Sequence, residues 1–321
     1  MQIIKGLDNP ALKPARRVVA DGGFDGMHLG HRAIFAAAYK KAQEYKAVLT
    51  ALTFEPAPVE VFGPHDSYNV RLTVAQERGL EQLGVDTLVI ADFNEAFQQI
   101  SAEQYARDYI ARRLGSVAVV ISESHNWGHH AEADANRIRQ LGDKYRFEVQ
   151  VVPLVTLDGA IVSSTTIRNL LWAGKVQAAS RLLGRPYPLY GTVQQGAGRG
   201  TLLGFPTINL QVPRAKLVPG PGVYAGVVEA QGLPTPPVPT YRSGWPAAIS
   251  VGASPTFDPQ GDNRQVEVHL LDINVDNNCG TDGMMVYFLH RIRNQQAFAT
   301  EGQLRSQIQA DVDRLRQEFN L

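Results

Sequence analysis

Between Arg17 and Lys46 the chain changes character twice. Arg17-Val18-Val19-Ala20 is apolar and valine-rich, which predicts a buried strand. Gly22-Gly23-Phe24-Asp25-Gly26-Met27-His28-Leu29-Gly30-His31 is a glycine-rich turn. Arg32 to Lys46 is rich in Ala, Lys, Gln and Glu, which predicts a helix. A strand that turns through glycines into a helix aims backbone N–H groups and the positive helix end at one spot, where they can hold a phosphate. His28 and His31 are three residues apart, so they share a face of that helix start. Each can donate a hydrogen bond to phosphoryl oxygens as charge builds there. The same pattern also serves as a plain tight connection with solvated capping histidines, and the stretch alone leaves both readings open.

The rest of the first half alternates. Ala47 to Phe54, Asp86 to Ala91, Val117 to Ile121 and Phe147 to Val152 are β-prone runs, and Thr73 to Leu83, Ser101 to Leu114 and Ala131 to Lys144 are helical. Ser101 is the expected N-cap and Gly115 the expected C-cap of their helix. Strand and helix in turn predict an α/β domain: a parallel sheet with helices on both faces. In such sheets the ligand sits beyond the carboxyl ends of the strands, where Gly22–His31 falls.

Two helical pieces follow, Ser164 to Trp172 and Lys175 to Leu183, and then Gly184-Arg185-Pro186-Tyr187-Pro188 breaks the pattern. The expected domains are therefore 1–185 and 186–321, a natural division for 321 residues. Beyond the break, Tyr190 to Gln194, Val223 to Ala230, Ala247 to Val251, Gln265 to Leu271 and Met284 to Leu289 are short β-prone runs, which predict an antiparallel barrel or sandwich. The proline-rich stretch Leu233 to Trp245 reads as an extended hairpin loop. Glu301 to Phe319 reads as a closing helix with Leu304, Ile308, Val312, Leu315 and Phe319 on one packing stripe.

A formal net charge of +0 with 19% charged residues argues against a broad nucleic-acid or anionic-membrane surface. Cys279 stands alone, so no intrachain disulfide can form, which fits a cytoplasmic location. Met1 to Arg17 has no apolar signal core, and no run approaches the ~20 apolar residues of a membrane span.

Ser163-Ser164-Thr165-Thr166-Ile167-Arg168 opens a helix in the manner of an N-cap. A cap explains the hydroxyls. It does not explain Arg168 in the first turn, where a cation opposes the helix dipole unless an anion lies nearby. Read functionally, hydroxyls, amides and Arg168 form a second phosphate clamp facing the histidines. In the second half, Gly196 to Gly204 carries four glycines, so backbone can approach a polyphosphate closely. Thr207 and Asn209 alternate and on an extended strand point the same way, as hard oxygen donors for Mg²⁺ or as turn hydrogen-bonding groups. Glu267 lies with His269 and Leu271 on one face of a half-buried strand whose other face is Val266, Val268 and Leu270.

Gly23-Phe24-Asp25-Gly26-x-His28-x-Gly30-His31 with Ser163-Ser164-Thr165-x-Ile167-Arg168 resembles the adenylyltransferase half of the bacterial bifunctional riboflavin kinase/FMN adenylyltransferase (FAD synthetase) family. Gly198-Arg199-Gly200-x-x-x-Gly204-Phe205-Pro206-Thr207-x-Asn209, Pro221-Gly222-Val223-Tyr224, Val251-Gly252-x-x-Pro255-Thr256-Phe257 and Val266 to Asp272 resemble its riboflavin kinase half. The resemblance covers nearly the whole chain, in family order. It implies a Rossmann-like nucleotidylyltransferase domain followed by a riboflavin kinase β-barrel with a terminal helix. It implies riboflavin, ATP, FMN and FAD as ligands, and Mg²⁺.

The resemblance further implies roles. Glu267 is the general base that takes the ribityl 5′-hydroxyl proton. Gly198, Arg199, Gly200, Gly204 and Pro206 hold the kinase ATP, and Thr207 and Asn209 hold Mg²⁺. In the first half FMN phosphate attacks the α-phosphorus of a second ATP. His28, His31 and Arg168 stabilise the charge there, and Gly23, Phe24, Asp25, Gly30, Ser164 and Thr165 bind the nucleotide. Phe54, Pro56, Phe62 and Asn126 are the flavin contacts, although Phe54 and Phe62 serve equally as hydrophobic anchors of a strand end.

The sequence departs from the family pattern at Ala57, where a histidine is usual, and at Ser122 to Gly128, where only the final glycine and an aromatic before it persist. There Ser124 replaces an amide or carboxylate, with Asn126 as the neighbouring substitute. Cys279 and Gln295 or Gln296 are departures in the second half. Two alternatives therefore stand beside the bifunctional enzyme: a riboflavin kinase with an impaired transferase half, and a non-catalytic flavin- or nucleotide-binding regulator. The oligomeric state is left open.

Overall fold

The computed structural model describes residues 1–56, 79–194, 199–213, 216–236, 238–253, 264–273 and 282–321. The chain divides into two compact units, Met1–Ser164 and Thr165–Leu321.

The first unit contains β1 (Gln2–Lys5), β2 (Arg17–Asp21), α1 (Leu29–Tyr45), β3 (Val48–Glu55), β4 (Thr87–Asp92), β5 (Ser116–Ser122), α2 (Ala135–Tyr145) and β6 (Glu148–Val152), followed by a short antiparallel pair, β7 (Thr156–Leu157) and β8 (Ala160–Ile161). The sheet is parallel throughout, in the order β1-β4-β3-β2-β5-β6. The expected parallel sheet is thus present, with β1 an added edge strand. Strand order reverses at β2, so the crevice between the carboxyl ends of β2 and β5 is the switch point where such sheets bind ligands.

The alternation of strand side chains builds two cores. Val18 and Ala20 of β2 pack with Ile34, Phe35 and Ala38 of α1. Val19, Val119 and Ile121 pack on the other face with Tyr105, Ile110, Leu114, Ile138 and Leu141. Ser101 caps its helix as expected, its hydroxyl accepting from the Gln104 N–H at 3.1 Å, and Gly115 follows at φ +62°. That helix is α-helical only over Ala102–Gln104 and continues as a π-helix over Tyr105–Arg113.

The second unit begins at Thr165, inside helix α3 (Ser164–Trp172), and continues into α4 (Val176–Leu183). Val176, Ala179, Leu182 and Leu183 are buried, and α4 packs on barrel strands β9 (Tyr187–Gln194) and β14 (Gly283–Arg293). α4 thus groups with the second unit. Gly184 still ends its helix in the left-handed conformation, at φ +71°. β10 (Ile208–Gln211), β11 (Gly222–Ala230), β12 (Trp245–Ala253) and β13 (Arg264–Leu270) complete a closed antiparallel barrel, β10-β13-β12-β11-β14-β9. The final helix α5 (Glu301–Phe319) lays Val312 and Leu315 against Phe205, Ala225 and Leu271. Each such buried side chain contributes about 1.5–3 kcal/mol. Leu271 ends buried in this cluster rather than beside Glu267, because β13 stops at Leu270.

Candidate active site

The turn after β2 is pinned by its neighbours. Gly22 N–H donates to Leu52 O at 3.1 Å, and the Thr53 hydroxyl donates to Gly23 O at 3.3 Å. A single 3₁₀ turn, Asp25–Met27, then leads into α1. Phe24 and Met27 both adopt φ +47°, a conformation that costs about 1–2 kcal/mol for a non-glycine residue and persists where surrounding contacts over-determine it. Phe24 is buried, with its ring edge-to-face on His31 at 5.4 Å and tilted on Phe35 at 4.6 Å, so it braces His31 from behind.

His28 is the N-cap of α1 and is 5% exposed. Its Nδ1 accepts from the His31 N–H at 3.3 Å, which leaves Nε2 as the ring's donor. The two imidazoles stack at 3.6 Å between centroids, 19° from parallel. Gly30 permits this: a Cβ there would lie 3.1 Å from two His28 ring atoms. Ser164, the last residue of the first unit, donates its hydroxyl to Asp25 O at 2.9 Å. The structure therefore brings together Gly23, Phe24, Asp25, His28, Gly30, His31 and Ser164. Thr165 and Arg168 follow in the first turns of α3 and belong to the second unit.

Of the expected flavin contacts, Phe54, one residue before the end of β3, is buried among Phe93 and Phe97, at ring distances of 5.7 and 5.8 Å. Its ring packs in that core. Pro56 is exposed beyond the strand. Asn126 is exposed and donates to Ser124 O at 3.1 Å inside its own turn. Gly128 closes that turn at φ +82° against the Ala102 backbone, where no Cβ fits. Phe62, Ala57, Gly198, Pro255, Thr256, Phe257 and Cys279 lie outside the described residues.

On the barrel, β10 and β13 pair with Asn209 directly opposite Glu267. Ile208, Leu210, Val266, Val268 and Leu270 are buried, and Asn209, Glu267 and His269 share the other, half-buried face. Gln265 Nε2 donates to Asn209 Oδ1 at 2.7 Å and to Glu267 Oε1 at 3.0 Å. Gln265 was not among the expected site residues, although its spacing of two from Glu267 marks the same face.

Arg199 opens a short helix, Arg199–Leu202. A Cβ on Gly200 would overlap the Phe205 carbonyl and lie 2.9 Å from Thr207 Oγ1, and Gly204 adopts φ +88°. Gly200 therefore lies directly against Thr207, with Pro206 between Phe205 and Thr207 in sequence. Pro206 O accepts from His269 Nδ1 at 2.8 Å. The hydroxyl of Thr207, the amide oxygen of Asn209 and the carboxylate of Glu267 are hard oxygens, a donor set that fits Mg²⁺ shared with nucleotide phosphates.

Residues 11–166 match the FAD synthetase family and residues 183–319 the riboflavin kinase family. A Pseudomonas fluorescens protein named bifunctional riboflavin kinase/FMN adenylyltransferase is 33% identical, covering 97% of this chain and 96% of its own length. The Escherichia coli K12 protein of the same name is 31% identical, over 100% of this chain and 99% of its own. The crystal structure of a Streptococcus pneumoniae protein named as a macrolide-efflux protein has TM-score 0.85 at 30% identity, over 98% of this chain and 99% of that one. Among the described residues, no helix is long and apolar enough to cross a membrane. The chain belongs to the bifunctional riboflavin kinase/FMN adenylyltransferase family.

Proposed function

We propose that the chain runs the two reactions of its family in two separate sites, riboflavin phosphorylation in the domain 186–321 and FMN adenylylation in the domain 1–185. The observation that carries the kinase assignment is the register of Asn209 opposite Glu267 beside the glycine segment Gly200–Gly204. Glu267 takes the proton of the ribityl 5′-hydroxyl, and the oxygen so freed forms a bond to the ATP γ-phosphorus as the bond to ADP breaks. Thr207 and Asn209 would hold Mg²⁺, which supplies charge neutralisation at the phosphates when bound. The glycines, with Arg199 and Pro206, admit the polyphosphate close to the backbone.

At the carboxyl edge of the sheet, an FMN phosphate oxygen attacks the α-phosphorus of ATP, and pyrophosphate leaves. His28 Nε2 and His31 donate to the phosphoryl oxygens as negative charge grows. The turn amides from Gly23 to Gly30 and Ser164 hold the nucleotide. Thr165 and Arg168 enter this reading from their motif. The turn Ser122–Gly128, with Asn126, lines the flavin side, because it leaves β5 at the switch point beside β2. We assign the protein to the cytoplasm, from its single cysteine and its substrates.

Two assays on the purified chain test the reading. Riboflavin, ATP and Mg²⁺ should yield FMN and ADP; FMN and ATP should yield FAD and pyrophosphate. FMN formation without any FAD would leave a kinase alone and overturn the transferase assignment.

A further inference from the structure

Asp21 belongs to none of the motifs that define the two sites. It is the last residue of β2, at the strand where the sheet order reverses. The turn out of β2 carries the histidines, and the turn out of β5, its neighbour in the sheet, is Ser122–Gly128. Two residues beyond Val19, Asp21 points to the same face, into the cluster of Tyr105 and Trp127.

The carboxylate is 1% exposed. Its Oδ2 accepts from Trp127 Nε1 at 2.7 Å and from the Tyr105 hydroxyl at 3.2 Å. His125 Nε2 lies 3.4 Å from the same oxygen and 3.1 Å from Trp127 Nε1. Asp21 Oδ1 has no hydrogen-bond partner among the described residues. Burying a carboxylate is costly unless donors meet it, and an apolar side chain would close this end of the core without that cost. Here donors converge on one oxygen from two segments, the π-helical stretch beginning at Tyr105 and the turn holding His125 and Trp127. Burial, and then the charge of Asp21, hold the Tyr105 phenol well above its ordinary pKa, so it remains a donor.

We propose that Asp21 is a positioning residue for FMN adenylylation: through Trp127 and His125 it fixes the turn Ser122–Gly128 as the flavin-side wall of the crevice, beside the Gly22–His31 phosphate turn. The inference rests on the reading that this turn faces FMN. It accounts for a segment that departs from the family pattern yet is firmly held. Trp127 is 3% exposed, and its indole N–H is shared between Asp21 Oδ2 at 2.7 Å and His125 Nε2 at 3.1 Å. The exposed atoms of the turn, Asn126 among them, then take a fixed place relative to the end of β2.

The test uses the full chain. Asp21→Asn keeps shape and an acceptor but removes the charge, and Trp127→Phe keeps an aromatic ring but removes the N–H. Each should raise the KM for FMN in adenylylation by about tenfold, the loss of one charge-assisted hydrogen bond. The KM for ATP and the rate of riboflavin phosphorylation should stay within about twofold of the parent. The double variant should be no worse than the stronger single one, because both act through one contact. A purely structural role would lower the active fraction without separating the two KM values. Asn126→Ala tests the underlying reading. If it weakens FMN binding while the Asp21 and Trp127 variants do not, the positioning role is overturned and the flavin-facing turn stands. If none of the three changes FMN binding, the flavin-facing turn is itself wrong. Should Asp21→Asn fail to fold, Trp127→Phe and Tyr105→Phe carry the same test with the buried carboxylate in place.

Discussion

Asn209 and Glu267 face each other across the β10–β13 pair, and one amide nitrogen of Gln265 reaches both, at 2.7 and 3.0 Å. The Gln265 amide thereby ties the Glu267 carboxylate and the Asn209 amide oxygen together on one half-buried face. In the proposed kinase site, the base and the cation ligand are thus linked through Gln265.

Glu267→Gln keeps the size of the side chain and removes its basicity. Riboflavin phosphorylation should fall by about 10²–10⁴-fold, the usual contribution of a positioned general base. FMN adenylylation should remain at the parental rate. Normal phosphorylation of riboflavin by this variant would refute the base assignment.

Thr207→Ala removes one hard oxygen beside the glycine segment without touching Glu267. The Mg²⁺ concentration for half-maximal kinase rate should rise by about tenfold, as expected for losing one ligand oxygen worth about 1.4 kcal/mol. A titration of rate against Mg²⁺ at saturating riboflavin measures it. An unchanged midpoint would remove Thr207 from the metal site.

The sequence carried most of this architecture because most of it is local. Ser164–Trp172 and Glu301–Phe319 form helices over the spans read from periodicity and capping. Gly200, Gly204 and Gly128 stand where the backbone admits little else. What was illegible depends on long-range contact. β1 is a four-residue edge strand, too short for a period. Tyr187 begins β9 inside a proline-rich break, and pairing with β14 makes it a strand. The π-helical hydrogen bonding of Tyr105–Arg113 leaves no mark on the apolar spacing. Asp21 gains its meaning from Tyr105 and Trp127, residues 84 and 106 positions away. Its one local signal was a carboxylate ending an apolar strand.

His28 has two roles that a pair of variants can separate. As N-cap it accepts from the His31 N–H, and in the proposed adenylylation it donates to the phosphoryl group. His28→Ala should lose both, costing about 1 kcal/mol of stability and reducing adenylylation by about 10²–10³-fold. Asn is a good N-cap residue, so His28→Asn should recover the stability but not the rate. Thermal unfolding followed beside the FMN-plus-ATP assay distinguishes the two. Recovery of the rate by Asn would show that capping, not hydrogen-bond donation to phosphate, is the function of His28.

His269 offers a pH signature on the kinase barrel. Burial pushes its imidazole below the ordinary value, against the opposing pull of its hydrogen bond to Pro206 O; Arg316 lowers it further and Asp272 raises it. Its ring is edge-on to Phe205, at 5.7 Å. The folded protein therefore binds this proton less readily than the unfolded chain. Above about pH 6.5 both states hold a neutral ring, and the residue adds no pH dependence. As pH falls below about 6.5 the unfolded chain takes up the proton first, so stability declines until the folded-state value is reached. His269→Asn places an amide donor near Pro206 O and removes the titration. The Tm of the parent should fall more steeply than that of His269→Asn between about pH 7 and 5. Parallel Tm curves over that range would show that the His269 ring takes up its proton equally well in the folded and unfolded states.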